Sequence, residues 1–179
     1  MAVFLWMLLF LASPATPQDD AAAIRAAAGC GPEWVQFDVH TDKKKHPFAA
    51  ATQEKAVVYV FEDEIREETW YIGSVLIRVG LDGAWVGATK GRSYFFFTVA
   101  PGEHHLCADR HIMLQKSAKL TSAVSLTAEA GKVYFFRARV EERNEPQYPP
   151  SVKLEQVTDN AQAMLLVSSS AFSVSHAKK

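Results

Sequence analysis

The residue types able to do chemistry gather in one stretch, Val79–Cys107, which reads VGLDGAWVGATKGRSYFFFTVAPGEHHLC. His104, His105 and Cys107, with His111 just beyond, are the cluster that could ligate a metal or form a nucleophile and base. The spacing argues against both uses. Side chains alternate along a strand, so His105 and Cys107 share a face while His104 points away, and two ligands do not make a site. A nucleophilic Cys107 with His105 as base lacks a third group to orient it. His105 and His111 remain the weak metal candidates, and no cofactor is expected. Gly91-Arg92-Ser93-Tyr94-Phe95 lacks the second glycine of a nucleophile elbow, and no phosphate loop or zincin motif is present. Gly29-Cys30-Gly31 starts like a dinucleotide fingerprint but runs into Pro32. The acidic run Glu62–Glu68 (EDEIREE) has carboxylates enough for calcium. It lacks the alternating Asp/Asn and glycine pattern of an EF-hand loop, so a solvated connection is expected.

The two cysteines, Cys30 and Cys107, bear instead on compartment. The first residues, MAVFLWMLLFLASPATPQ, form an apolar run too short for the ~20 residues of a membrane-spanning helix. Ser13-Pro14-Ala15 supplies small residues where a signal peptidase reads, so a signal peptide is expected within residues 1–17, cut after Ala15 or at Pro17 or Gln18, without the usual basic residue near Met1. In an oxidising compartment paired thiols persist, and a Cys30–Cys107 disulfide is expected; two free buried cysteines are the alternative. A lipid-attachment box at Ala27-Ala28-Gly29-Cys30 is disfavoured, because Asp19, Asp20 and Arg25 separate it from the apolar run.

Of 179 residues, 49% are hydrophobic and 22% charged, with formal net charge -1. That composition suits one domain with a substantial core, and it gives no basic field for a nucleic-acid partner. Nothing past the leader predicts a transmembrane span in the mature chain.

The elements that must position these residues read as strands. Glu33–Val39 alternates, with Val35, Phe37 and Val39 on one face; Lys43-Lys44-Lys45-His46-Pro47 follows as a solvated basic loop. Lys55–Phe61 (KAVVYVF) is apolar on both faces, as a central strand is. Trp70-Tyr71-Ile72 and Val75–Leu81 extend next. Asp82-Gly83 is a hairpin signal, since a two-residue type I′ turn needs positive φ at both central positions. Ala84–Ala88, Tyr94–Ala100 and Glu103–Asp109 then follow between Lys90-Gly91 and Pro101-Gly102 turns. Ala118–Ala128, Val133–Val140 and Val152–Val157 complete the strands. Asp159–Val167 is the one packed helix, capped by Thr158 or Asp159. Short strands at close spacing, with no helix-length segment between them, predict an all-β sandwich rather than a parallel α/β sheet.

Tyr94–Phe97 and Tyr134–Phe136 place large apolar groups on both faces of their strands, so something must cover the outer face. Cover from the same chain is expected, from the N-terminal segment, the C-terminal tail or the helix near Met164. Trp85 either shields the core end or belongs to a binding patch; the candidate binding surface is Trp85, Asp82, Trp70 and Tyr71.

Lys55-Ala56-Val57-Val58-Tyr59-Val60, Val79-Gly80-Leu81-Asp82-Gly83 with Val86-Gly87, Tyr94 with Pro101-Gly102-Glu103-His104, Leu126–Phe135 and Val152–Val157 occur in an order that resembles the bacterial family known as domain of unknown function 2846. The middle part also resembles the PEGA repeat, a small β-unit of bacterial surface proteins. The resemblance implies an exported or lipid-anchored all-β envelope domain with no established activity, and it supplies no catalytic residues. Many members carry a lipoprotein cysteine directly after the signal run, which this chain lacks.

The expectation is an all-β chain: an immunoglobulin-like or prealbumin-like antiparallel sandwich of about seven or eight strands with one short C-terminal helix. The signal peptide (1–17) is followed by a weakly ordered leader (18–32), the β-sandwich domain (33–167) and a C-terminal tail (168–179). Its expected role is that of an exported (periplasmic or extracellular) non-enzymatic binding or structural module, with an envelope protein or glycan as partner. The alternatives are a metal-dependent or hydrolytic enzyme using the His104/His105/His111 region, and a subunit of a larger envelope assembly.

Overall fold

The computed structural model describes residues 29–63, 75–112, 121–141 and 151–178. Ten strands and one helix are described: β1 (Phe37–Asp42), β2 (Ala56–Glu62), β3 (Val75–Leu81), β4 (Ala84–Lys90), β5 (Ser93–Val99), β6 (Gly102–Ile112), β7 (Thr121–Ala128), β8 (Val133–Glu141), β9 (Ser151–Val157), α1 (Asn160–Ser168) and β10 (Ala171–Ala177). They form two sheets, β1-β10-β5-β2-β8-β9 and β4-β3-β6-β7. The fold is a β-sandwich.

Every residue of β2 is buried, which is what its two apolar faces require. It sits inside the six-stranded sheet, antiparallel to β5 and parallel to β8. Val58, Val60, Ile77, Val79, Leu106, Leu126 and Phe136 fill the space between the sheets. The β3–β4 hairpin turns at Asp82 (φ 51) and Gly83 (φ 82), both left-handed as a type I′ turn demands. Asp159 caps α1, its Oδ1 accepting from the Gln162 amide at 3.0 Å.

Three features depart from the sequence expectations. The small sheet is antiparallel throughout, but the large one is mixed, with β10–β5 and β2–β8 parallel. The first strand is registered later than expected, at Phe37–Asp42, because residues 32–35 turn instead, the Val35 amide donating to the Pro32 carbonyl. The segment expected as a tail contains β10, inserted between β1 and β5.

The strand β10 also closes one side of the sandwich. Ser173 Oγ donates to the Ala88 carbonyl at 2.7 Å and the Ala88 amide donates to Ser175 Oγ at 3.1 Å, so two serines bond the edge of β4. On the opposite side the Leu154 amide of β9 donates to Ser122 Oγ of β7 at 3.0 Å. Hydroxyls thus join the two sheets where backbone ladders stop.

Among the described residues no helix is long and apolar enough to cross a membrane.

Candidate functional site

The Asp82 hairpin is the first nominated place, and its polar groups are spent internally. Asp82 Oδ1 accepts from the His105 amide at 2.8 Å, and Oδ2 accepts from His104 Nδ1 at 2.7 Å. His104 Nε2 lies 2.9 Å from the Ala100 carbonyl. A carboxylate and a carbonyl can only accept, so both ring nitrogens must donate, and the arrangement suits the imidazolium. Burial works against that charge, but the Asp82 carboxylate and the Ala100 carbonyl outweigh it and raise the His104 pKa. Burial likewise opposes ionised Asp82, yet the His105 amide and the His104 ring hold it below the usual carboxylate range. The pair ties the β3–β4 turn to the β5–β6 turn.

Trp85 is the second nominated residue, and its own chain covers it. Its indole N–H donates to the Pro32 carbonyl at 2.9 Å, and the Arg78 guanidinium lies 4.3 Å from the ring centre. Arg78 also donates to the Val35 carbonyl and pairs with Asp109. Beside them Cys30 and Cys107 are disulfide-bonded, with Cα atoms 5.4 Å apart. Residues 30–35 therefore run as a strap over the outer face of the small sheet. The strap lies so close that a Cβ on Gly80 would sit 1.9 Å from the Cys30 carbonyl oxygen. Val35, Phe37 and Val39 continue it, packing on Leu76, Ala88 and Trp85.

Cys107 is thus a disulfide partner rather than a thiolate. The His105 Nε2 atom is buried with no hydrogen-bond partner. His111 lies in β6, and its side chain is outside the described set, as are Trp70 and Tyr71 altogether. Among the described residues no three His, Cys, Asp or Glu side chains group as metal ligands. One carboxylate is buried between the sheets, Glu62, whose Oε2 accepts from Thr89 Oγ1 at 3.1 Å.

The outer face of the large sheet carries the aromatic groups for which the sequence requires cover. Tyr59, Tyr94, Phe96, Phe135 and Phe172 form an aromatic layer there. Ala163 and Val167 of α1 cover part of it, with Ala49 and Ala51. Cover comes from the same chain, as expected. Two phenols fix the loop between β1 and β2: Tyr94 donates to the Pro47 carbonyl at 2.9 Å, and Tyr59 donates to the Ala49 carbonyl at 3.1 Å while accepting from the Ala49 amide at 2.7 Å. Burial raises both phenol pKa values, that of Tyr94 to about 12, so both remain donors at neutral pH.

That loop and β10 bound an open cleft of about 420 Å³, lined by Asp42, Lys45, His46, Pro47, Phe172 and Val174. Asp42 Oδ1 accepts from the amides of Lys44 (2.8 Å) and Lys45 (3.2 Å), and the Lys44 amide above all holds its pKa down. The turn leaves Lys43, Lys44 and Lys45 exposed, Lys45 lining the cleft, and Phe48 is exposed in the same loop. The sequence signal was there in the Lys43–Pro47 run, but its apolar neighbours come from β10, whose strand character was not recognised.

Neither a curated protein nor a solved structure matches the chain. The family described as "Protein of unknown function (DUF2846)" matches residues 52–149, just over half the chain, from the approach to β2 to the end of the β8–β9 connection. Cys30, the strap, β1, β9, α1 and β10 lie outside the matched span. The chain belongs to the DUF2846 family.

Proposed function

We propose that this protein is an exported, non-enzymatic binding or structural module of the cell envelope. The observation that carries the reading is the Cys30–Cys107 bond, which holds the strap to the small sheet. Such bonds persist in oxidising compartments, and a short apolar run with a small-residue cleavage pattern opens the chain. The polar groups most suggestive of chemistry support a structural role: Asp82 and His104 satisfy one another, and Cys107 is bonded. The partner would be an envelope protein or glycan.

Intact mass of the protein from its native host, with and without reductant, tests the reading. Expected are a chain cleaved near Ala15 and a gain of two hydrogens on reduction. A chain that starts at Met1 in the cytoplasmic fraction with free thiols would overturn it. Zinc or copper at one equivalent in native protein would instead favour an enzyme built around His104, His105 and His111.

A further inference from the structure

We infer that the outer face of the six-stranded sheet, at the Lys43–Phe48 loop and β10, is a docking surface for an anionic lipid bilayer. Five large apolar residues are exposed among the described residues, and four lie on or beside this sheet's outer cover: Phe48 at 47%, Met164 at 39%, Leu165 at 70% and Val174 at 38%. Phe48 stacks on Tyr94, and Val174 shares the cleft with Phe172. Met164 and Leu165 belong to the helix whose opposite side, Ala163 and Val167, packs on the same aromatic layer. Apolar side chains raised above a sheet that already has its core are not needed for folding, and their grouping marks a contact surface.

Charge complementarity identifies the occupant. Lys43, Lys44 and Lys45 stand exposed in the loop that carries Phe48, while Asp42, the carboxylate that ends β1, accepts from two backbone amides through Oδ1. Exposed apolar groups rimmed by lysines match the boundary between lipid headgroups and acyl chains, where ammonium groups meet phosphates and rings enter the interface. The Lys45 and His46 side of the cleft would receive a headgroup phosphate, and Phe172 and Val174 the start of its chain. Tyr59 and Tyr94 hold the loop in place beforehand, so little ordering remains to be done on contact. The strap side of the molecule differs, its Trp85 and Arg78 being engaged by residues 32–35. The docking surface goes beyond the envelope reading without depending on it, since lipid contact is measured in vitro whatever the route of the chain.

The test is co-sedimentation of the chain, as recovered from its producing cell, with vesicles of phosphatidylcholine alone or with one-third phosphatidylglycerol. A retained leader carries only the α-amino charge ahead of Asp19 and is the same in every variant, so the comparison of variants cancels its contribution. Expected are preference for the anionic vesicles, weakening as salt rises, a loss of about 10²-fold in partitioning for K43Q/K44Q/K45Q, and a loss of about 10-fold for Phe48→Ser. Equal partitioning to both vesicle types, salt-independent binding, or an undiminished triple variant with unchanged circular dichroism would each overturn the proposal. So would a self-associated form that Phe48→Ser dissociates while vesicles pellet no protein, because the face would then belong to a second copy of this chain.

Discussion

The two outer faces of the sandwich pose the same problem, apolar surface that a sheet leaves facing water, and answer it differently. On the small sheet the cover is a strap fastened by a disulfide, a buried arginine and an indole N–H, and it lies against the strands closely enough to exclude any side chain at Gly80. On the large sheet the cover is a nine-residue helix and a loop held by tyrosine hydroxyls, and it stops short, leaving Phe48 exposed and Val174 lining a cleft. Covalent fastening allows tight cover, with Trp34 of the strap itself left exposed at 77%. Packing alone leaves a margin, and that margin is where the exposed cations stand.

If the strap depends on its fastening, removing the disulfide gives the largest effect. Cys30→Ser with Cys107→Ser should lower unfolding free energy by about 4 kcal/mol, since the bond closes a loop across 77 residues of sequence separation; chemical denaturation measures it. Gly80→Ala tests the same face without touching sulfur. A Cβ there must displace the Cys30 backbone, at a cost of about 2 kcal/mol and with faster proteolysis before Phe37. On the large sheet Val167→Ala should cost about 2 kcal/mol, because Val167 is fully buried on the aromatic layer, without any change in strap proteolysis. Equal loosening of both faces by either variant would end the distinction drawn between them. Tyr94→Phe removes one loop tether for about 1 kcal/mol and should raise hydrogen exchange in the Lys43–Ala49 loop.

The smallest effect belongs to His104. Its folded pKa is raised, so its contribution is fully present below the unfolded value near 6.5 and fades as pH rises through the folded one. The Asp82 pKa is lowered, so its share is present above the unfolded value near 4 and is lost as pH falls through the folded one. His104→Asn should therefore cost under about 1 kcal/mol, most at pH 5–6 and least above pH 8, in denaturation series across pH. A flat difference between the two chains would mean that the clamp is not ionic.

The parts of the fold that local chemistry dictates were legible. Asp82-Gly83 admits few other conformations, the all-apolar Ala56–Phe61 run has to be interior, Asp159 offers a cap to the helix-forming run that follows it, and the cysteines leave one pairing. What stayed hidden depends on distant partners. In β10 the serines look like those of a tail, because Ser173 and Ser175 serve the Ala88 backbone rather than a hydrophobic face. Trp85 reads either as a shield of the core end or as part of a binding patch, because nothing in its neighbourhood reveals that Pro32 will meet it. The cleft joins Asp42 to Phe172, partners in the β1–β10 ladder that no local pattern connects.

That ladder has a consequence for the order of assembly. Among the described residues β1 pairs with no strand except β10, and its register joins Phe37 to Ala177 and Asp42 to Phe172. A chain emerging N-terminus first therefore presents β1 early and must keep it unpaired until β10, more than 120 residues later, has been delivered. Only then can the large sheet be completed and the β4 edge sealed by Ser173 and Ser175. The disulfide can form sooner, once Cys107 has emerged, tethering Cys30 and with it the approach to β1 beside the small sheet. The strap is thus placed to keep β1 near its site while β10 is still to be delivered.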